Sequence, residues 1–348
     1  MAARMLDRGP WMLRQIIEEE IPGSPDFFVS ISDLPIDSFG MVVLRARIEA
    51  TLGRPISDDA WGGIATLNDI LVLSAAEGIA PQSHDTSMER RSFSVNMPQM
   101  AMGGLSESWL LKELGDMHWS MITSGLGSES ASLKDGSGNR LYATFTRIRY
   151  SFGKPLSAIG ENSGLDLRGT ICRFGAGTFI SDIALGHDLA AGEARLMSNF
   201  SRRGETNNTS LQKGQPTIPP DCPIPEIALP PFVLEYRDRR VTKPEAPLFE
   251  CEYEIIPFYD VNGVGLLYFA SYPIISDICS LRYSADIAKR STISRDIYYF
   301  ANADINDRLI FRVHKSELSP SALDIETSLS RKSDGLLMAY VLTRKSNG

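Results

Sequence analysis

The sequence predicts an α+β protein in two parts: a small all-α unit, then a larger unit in which helix and antiparallel strand are duplicated. Three observations carry this. Four short helical segments crowd into residues 1–76. After them, one amphipathic segment followed by a series of strand-like runs occurs twice. Between the two occurrences, residues 202–231 are rich in Pro, Asn, Thr and Gly and read as an extended crossover. At 348 residues the chain is long for one domain. The expected divisions are 1–76, a linker over 77–91, a first half over 92–201, the crossover, and a second half over 232–348.

Each element has a local signal. Pro10 begins a first helix, Trp11 to Glu20, that Pro22-Gly23 stops. Asp37-Ser38 opens a second, with Phe39, Val42, Val43 and Ile48 on one side and Gly53-Arg54-Pro55 at its end. Ser57-Asp58-Asp59 caps a short third segment, and Thr66 caps a fourth over 66–73. Residues 77–91 show no periodic apolar face and read as linker. A long amphipathic helix is predicted over 104–119. Asp135-Gly136 is a turn signal ahead of strands at 141–150, 165–174, 178–185 and 192–200. The second half repeats the plan: a strand around 248–258, a helix over 263–273, and strands near 295–302, 308–316, 323–330 and 335–343.

Composition narrows the function classes. The chain is 43% hydrophobic and 22% charged, as ordinary soluble proteins are, and its net charge of −8 argues against nucleic acid as the main partner. Residues 1–76 hold six Arg and no Lys against eleven Asp and Glu, a bias suited to docking on basic surfaces of partner enzymes. Four scattered Cys, with no CxxC pair, and four scattered His suggest neither a zinc site nor a disulfide framework. Neither a signal peptide nor an apolar run of membrane-spanning length is present, so a cytoplasmic location with reduced thiols is expected.

Ser38 is the sharpest single residue. An exposed serine hydroxyl at a helix N-terminus suits attachment of a phosphodiester, which the macrodipole and free N–H groups favour; the alternative is a plain N-cap. Asp37-Ser38-Phe39, with Met41-Val42-Val43-Leu44 and Leu52-Gly53-Arg54-Pro55-Ile56-Ser57, resembles the Asp-Ser-Leu signature of acyl and peptidyl carrier proteins over about residues 8–76. Phe39 departs from the usual Leu. The resemblance implies a four-helix acyl-carrier bundle bearing 4'-phosphopantetheine on Ser38, installed by a phosphopantetheinyl transferase.

The rest resembles another family. Asn96-Met97-Pro98-Gln99-Met100, Gly103-Gly104-Leu105-Ser106-Glu107-Ser108-Trp109-Leu110, and the stretch from Asp260-Val261-Asn262-Gly263 to Ala270-Ser271-Tyr272-Pro273 are similar to the leinamycin-type bifunctional acyltransferase/decarboxylase family of polyketide biosynthesis. The similarity spans about residues 92–345. It implies a double hot-dog, two antiparallel sheets each wrapping a central helix. It also implies an enzyme that takes a malonyl-type group, such as methylmalonyl, from coenzyme A, decarboxylates it and leaves the acyl group on a carrier within polyketide synthase modules. The acyl acceptor in that family is a tyrosine hydroxyl, and Tyr142 is the match by position; a half-buried strand aromatic is the other reading.

Asn262, with the N–H groups of Gly263 and Val264, could form an oxyanion or enolate site, or be an ordinary turn. His118 is a candidate base or a packed histidine. Tyr268, Ser271 and Tyr272 are pocket candidates, and Met97, Met100, Met102 and Met117 either line an acyl tunnel or belong to the core. Two other classes compete. A thioesterase needs a helix carboxylate aimed at water, for which Glu107 and Glu113 qualify. A dehydratase needs a histidine opposite a helix carboxylate, and His84, His187 and His314 fall outside the expected places. A non-catalytic acyl-carrier-binding module is the third possibility.

Overall fold

The structure is a computed structural model that describes residues 10–21, 27, 29–31, 34, 36, 38–52, 56, 61–62, 64–76, 88–102, 104–129, 132–187, 192–202 and 211–347. The chain divides into two compact units, 1–84 and 85–348.

The first unit contains α1 (Pro10–Glu20), α2 (Ser38–Leu52) and α3 (Leu67–Ala76). Leu13, Ile16 and Ile17 recur at helical spacing on α1 and meet Leu44 and Ile48 of α2 and Leu67 and Ile70 of α3, with Phe27 and Ile56 closing the core. Arg47 of α2 pairs with Glu19 and Glu20 of α1. Thr66 caps α3 as its sequence predicts: its Oγ1 accepts from the Asp69 amide at 3.4 Å, while the Asp69 carboxylate accepts from the Thr66 amide at 2.8 Å. Trp61 and Gly62 are helical, but the cap predicted at residues 57–59 lies outside the described residues, which hold three helices of the expected four.

The second unit is built on one large antiparallel sheet. Its strands are β1 (Met88–Ser94), β4 (Tyr142–Phe152), β5 (Gly164–Phe174), β6 (Thr178–His187), β7 (Gly192–Arg202), β8 (Gln212–Gly214), β9 (Phe249–Glu254), β10 (Arg290–Tyr299), β11 (Arg308–Leu318), β12 (Ala322–Arg331) and β13 (Leu337–Asn347). A separate two-stranded ribbon joins β2 (Met100–Ala101) to β3 (Gly104–Leu105). The order is β1-β5-β6-β7-β4-β10-β13-β12-β11-β9, with β8 beside β7. Within each half the chain visits positions in the same sequence, and the halves meet through β4 and β10 around the pair Ile148 and Ile297. A single twofold-like relation therefore generates the whole sheet.

Helices α4 (Glu107–Gly125) and α7 (Ser271–Tyr283) cover one face, and a short α6 (Pro257–Asp260) precedes α7. One core runs through both halves: Leu114 and Met117 of α4, Ile275 and Cys279 of α7, and the inward residues Ile148, Tyr150, Ile297 and Tyr299 belong to it. The opposite face is covered at the junction by α5 (Pro231–Val241), whose Phe232 and Val233 pack on Cys172, Ile180 and Met197. Arg147 lies between the rings of Phe232 and Tyr298, 4.1 and 4.5 Å from their centroids, and pairs with Asp296 at 2.6 Å. Residues of β4, β10 and α5 are thus tied together across the junction.

Three expectations need correction. Residues 88–91, predicted as linker, are strand β1, where Met88–Arg91 pair with Leu167–Thr170 of β5; their alternation of half-buried and exposed residues lacks the apolar face that would have marked a strand. Residues 77–87 lie outside the described residues. The crossover ends in a helix, α5, begun by Pro231 at its first position. The helix predicted over 263–273 begins only at Ser271. The preceding stretch is a loop closed by a bridge from Val261 to Leu267, because Asn262-Gly263 turns the chain and Gly265 adopts φ +80°. Pro273 marks the first turn of α7, where its missing N–H costs no bond, and not the end of an earlier helix.

Candidate functional site

A bulge sets the site. In β10 the register shifts between Thr292 and Ser294, so Thr292 and Arg295 both face the helices, in phase with Ile297 and Tyr299. Opposite them stands the first residue of α4, Glu107, whose helix is capped by Ser106 Oγ accepting from the Trp109 amide at 3.3 Å. Arg295 Nε donates to Glu107 Oε1 at 2.5 Å and Nη2 to Oε2 at 3.1 Å. Thr292 Oγ1 donates to Oε2 at 3.1 Å, and the Tyr150 hydroxyl of β4 donates to Oε1. Arg295 also reaches Asp277 of α7 at 2.5 Å and Thr343 of β13 at 2.9 Å, and Lys345 Nζ lies 3.1 Å from Asp277. Two carboxylates and two cations, drawn from both halves, compensate one another inside the unit.

The electrostatics follow from that pairing. Burial alone pushes the Asp277 carboxyl up, but Arg295 and Lys345 more than offset it and hold it below the usual carboxylate range. Burial disfavours the Arg295 cation, and Asp277 and Glu107 reverse that, raising it well above an ordinary arginine. Burial and then the Glu107 charge raise the Tyr150 hydroxyl well above a free tyrosine, so it stays a donor. The Glu107 side chain retains 15% of its exposure, which leaves the carboxylate at the solvent edge. The amides of Glu107 and Ser108 lie in the first turn of α4, where a helix N–H has no acceptor within the helix.

The twofold-related place is different. Tyr299 stands where Tyr150 stands relative to the central pair, but its hydroxyl donates to the Phe269 carbonyl at 3.1 Å. Phe145, Phe269 and Tyr272 fill the space around it, with Phe145 and Phe269 centroids 4.4 Å apart. Among the described residues no carboxylate bonds the Tyr299 hydroxyl.

The sequence-predicted residues are scattered. Ser38 is the first residue of α2, but its side chain and Asp37 lie outside the described residues. Tyr142 opens β4. Its neighbours Ala143 and Phe145 pack on the core, so strand alternation puts Tyr142 on the opposite face, under the Arg140 guanidinium at 5.1 Å. Asn262 uses its Oδ1 within its own loop, accepting from the amides of Val264 at 3.1 Å and Leu266 at 3.0 Å. The Val264 N–H is therefore taken, and Gly263 is exposed.

Tyr268 lies under Lys112 of α4, and burial with Asp116 and Glu113 nearby raises its hydroxyl. Ser271 and Tyr272 are buried at the start of α7, where Tyr272 donates to the Ala301 carbonyl at 3.2 Å. His118 is fully buried between Ser181 and Ser198, at 2.6 and 2.8 Å, and burial lowers it to about 3, so it is a neutral packing residue and no base. Glu113 faces Arg91 at 3.5 Å. Met97 and Met102 are exposed, whereas Met117 is core. His314 bonds Ser328 and the Glu245 carbonyl; His84 and the side chain of His187 lie outside the described residues. Of all the candidates, Glu107 alone is brought into the cross-half cluster. Arg295, Thr292, Tyr150, Asp277 and Lys345 carried no sequence signal beyond their strand or helix positions.

No family model matches the chain, and no curated protein matches its sequence. Solved structures do match. An acyl-ACP thioesterase from Bacteroides thetaiotaomicron VPI-5482 is 14% identical with a TM-score of 0.51, covering 76% of this chain and 100% of its own. The 12:0-ACP thioesterase from Umbellularia californica is 11% identical with a TM-score of 0.51, covering 74% and 93%. A protein described as an oleoyl thioesterase from Lactobacillus plantarum is 9% identical with a TM-score of 0.53, covering 76% and 96%. The second unit has the hot-dog fold. The likeness, together with the duplicated sheet, makes it a double hot-dog. Among the described residues no helix is long and apolar enough to cross a membrane, and no group of three or more His, Cys, Asp or Glu is placed to hold a metal.

Proposed function

We propose that the double hot-dog hydrolyses acyl thioesters, with Glu107 taking the proton from the attacking water. The observation that carries this reading is the placement of Glu107: a carboxylate at the N-terminus of a central helix, at the solvent edge, fixed by residues from both halves. A water that displaces the Thr292 hydroxyl from Oε2 would meet the base directly. The first-turn amides of Glu107 and Ser108 are the donors nearest the developing oxyanion. Arg295 fixes the carboxylate, and Asp277 and Lys345 fix Arg295. The similar solved structures are thioesterases, which supports the same chemistry.

The substrate is either an acyl-coenzyme A or an acyl group on a carrier protein. The first unit fits the carrier role, with phosphopantetheine on Ser38 added by a phosphopantetheinyl transferase and the whole serving polyketide synthase modules. Decarboxylative loading of a malonyl-type group needs Tyr142 as acceptor and Asn262 at the enolate. Tyr142 on the outer face of β4 and Asn262 engaged in its own turn favour hydrolysis over that reaction.

Glu107→Gln keeps the shape and removes the base. Free-acid release from acyl-coenzyme A should fall by about 10²–10⁴-fold in kcat. Hydrolysis at the wild-type rate in that variant would overturn the assignment. Release of labelled CO2 with the acyl group retained on protein would replace hydrolysis by decarboxylation.

A further inference from the structure

The two central helices differ on the side turned away from the sheet. On α4 the exposed positions hold Lys112, Asp116 and Ser124, as a solvated helix face does. On α7 they hold Ile274, Ile278 and Leu281, spaced so that the three form one stripe along the helix. Phe258 and Tyr259 of α6 are 96% and 81% exposed, and the Ser271 hydroxyl donates to the Tyr259 carbonyl at 3.5 Å, so α6 stands at the head of the stripe. Ile256 adds one more exposed apolar residue there. An aromatic ring carries about 150–250 Å2, so the two rings and four aliphatic side chains expose about 600 Å2, at the top of the range for a monomer. The fold does not demand this face, since its twofold counterpart on α4 is polar. Charges of both signs border it. Arg282 and Lys289 are exposed at the far end of the stripe with Asp286, and Glu252 and Glu254 are exposed on the adjoining β9, where Arg282 donates to the Glu252 carbonyl at 2.9 Å.

We propose that this face binds a second copy of the chain, the two α7 helices packing antiparallel about a twofold axis at Ile278. Ile274 of each copy then meets Leu281 of the other, and Ile278 meets itself. The Phe258 and Tyr259 rings of one copy reach the Arg282 end of the other, where a guanidinium is attracted to an aromatic face. Every contact occurs twice, as a self-complementary patch requires. About 600 Å2 of apolar surface, with the charged border added, approaches the about 800 Å2 per partner of a stable interface. The border selects the occupant. An acidic protein or an anionic lipid surface calls for basic residues alone, whereas Arg282 and Lys289 beside Glu252, Glu254 and Asp286 offer both signs and suit self-pairing. The copies join through helices because the neighbouring edge does not invite pairing: β9 is an edge strand, and Glu250, Glu252 and Glu254 on it repel a second β9.

The test is sedimentation equilibrium of the full-length protein. Wild type at about 10 μM should show twice the 38.4 kDa of one chain and dissociate on dilution. Ile278→Glu sets two like charges face to face at the axis and should raise the dimer Kd at least ~100-fold, with the denaturation midpoint of the monomer read alongside. Ile278→Cys brings a thiol to the axis. With diamide, which takes up the two thiol hydrogens, it should form a chain-to-chain disulfide that wild type, with its own four free cysteines, does not. If Ile278→Glu fails to fold, the cysteine variant decides. A wild type that stays monomeric overturns the second copy. So does a dimer whose Kd Ile278→Glu leaves unchanged, as one held elsewhere on the chain would be, or an Ile278→Cys dimer that does not cross-link. A monomer that binds anionic vesicles and loses them in Ile278→Glu gives the face to a lipid surface instead.

Discussion

Glu107 and His118 stand about three turns apart on α4, so both face the sheet, yet they meet opposite chemistries. Glu107 lies at the open end against Arg295 and Thr292. His118 is sealed between two serines, and no carboxylate among the described residues bonds it. The consequence for stability has a definite sign. In the unfolded chain a histidine takes up a proton below about pH 6.5, whereas folded His118 does so only below about 3. Stability is therefore full above pH 6.5 and falls as pH drops toward 3, by about 1.4 kcal/mol per pH unit from this group. Burial lowers His314 as well and adds a loss of the same sign. Urea unfolding at pH 7 and pH 5 should show the loss, and His118→Gln should reduce the difference; an equal slope in both proteins would remove His118 as the cause. Sequence alone could nominate Glu107, together with Glu113, because both are carboxylates on an amphipathic helix. It could not supply Arg295, which lies 188 residues away, or choose between base and packing residue for His118.

The elements show where local signals suffice. The strands of both halves other than β1 and β8 are alternating runs, and the structure places them within about five residues of the predicted bounds. The helix of the second half was misplaced because Leu266, Leu267, Tyr268, Phe269 and Ala270 form an apolar run that reads equally as helix or buried loop. Asn262, Gly265 and Pro273 together resolve it only once the turn is seen. That loop also packs against α4. A Cβ at Gly115 would fall 2.4 Å from Phe269 Cζ. Gly115→Ala gains up to about 1 kcal/mol of helix propensity, but overpacking costs about 1–3 kcal/mol. The net expectation is a destabilised protein, read as a lowered denaturation midpoint at unchanged m-value. A raised midpoint would show that the ring moves aside freely.

At the scale of the whole molecule, two units carry the two halves of the proposed chemistry, a tether and a catalyst. The tether is tested by mass. Incubation with a phosphopantetheinyl transferase and coenzyme A should add about 340 Da to wild type and nothing to Ser38→Ala. A wild type that gains no mass ends the carrier reading. The amino-acid sequence by itself determined the repeat and most of the element types, though not β1, β8 or α5, because alternation and helical periodicity are written in neighbouring residues. It also placed a serine at the start of α2 and two candidate carboxylates, Glu107 and Glu113, on α4. Only the tertiary structure decided which of the candidate residues meet. Joining β4 to β10 superposes the two halves through an axis no local pattern records, and one bulge in β10 turns Thr292 and Arg295 together toward Glu107. A shift of one residue in a strand exchanges its faces. The same alternation that makes the strands legible thus leaves Tyr142 outside and Arg295 within, a difference that packing alone selects.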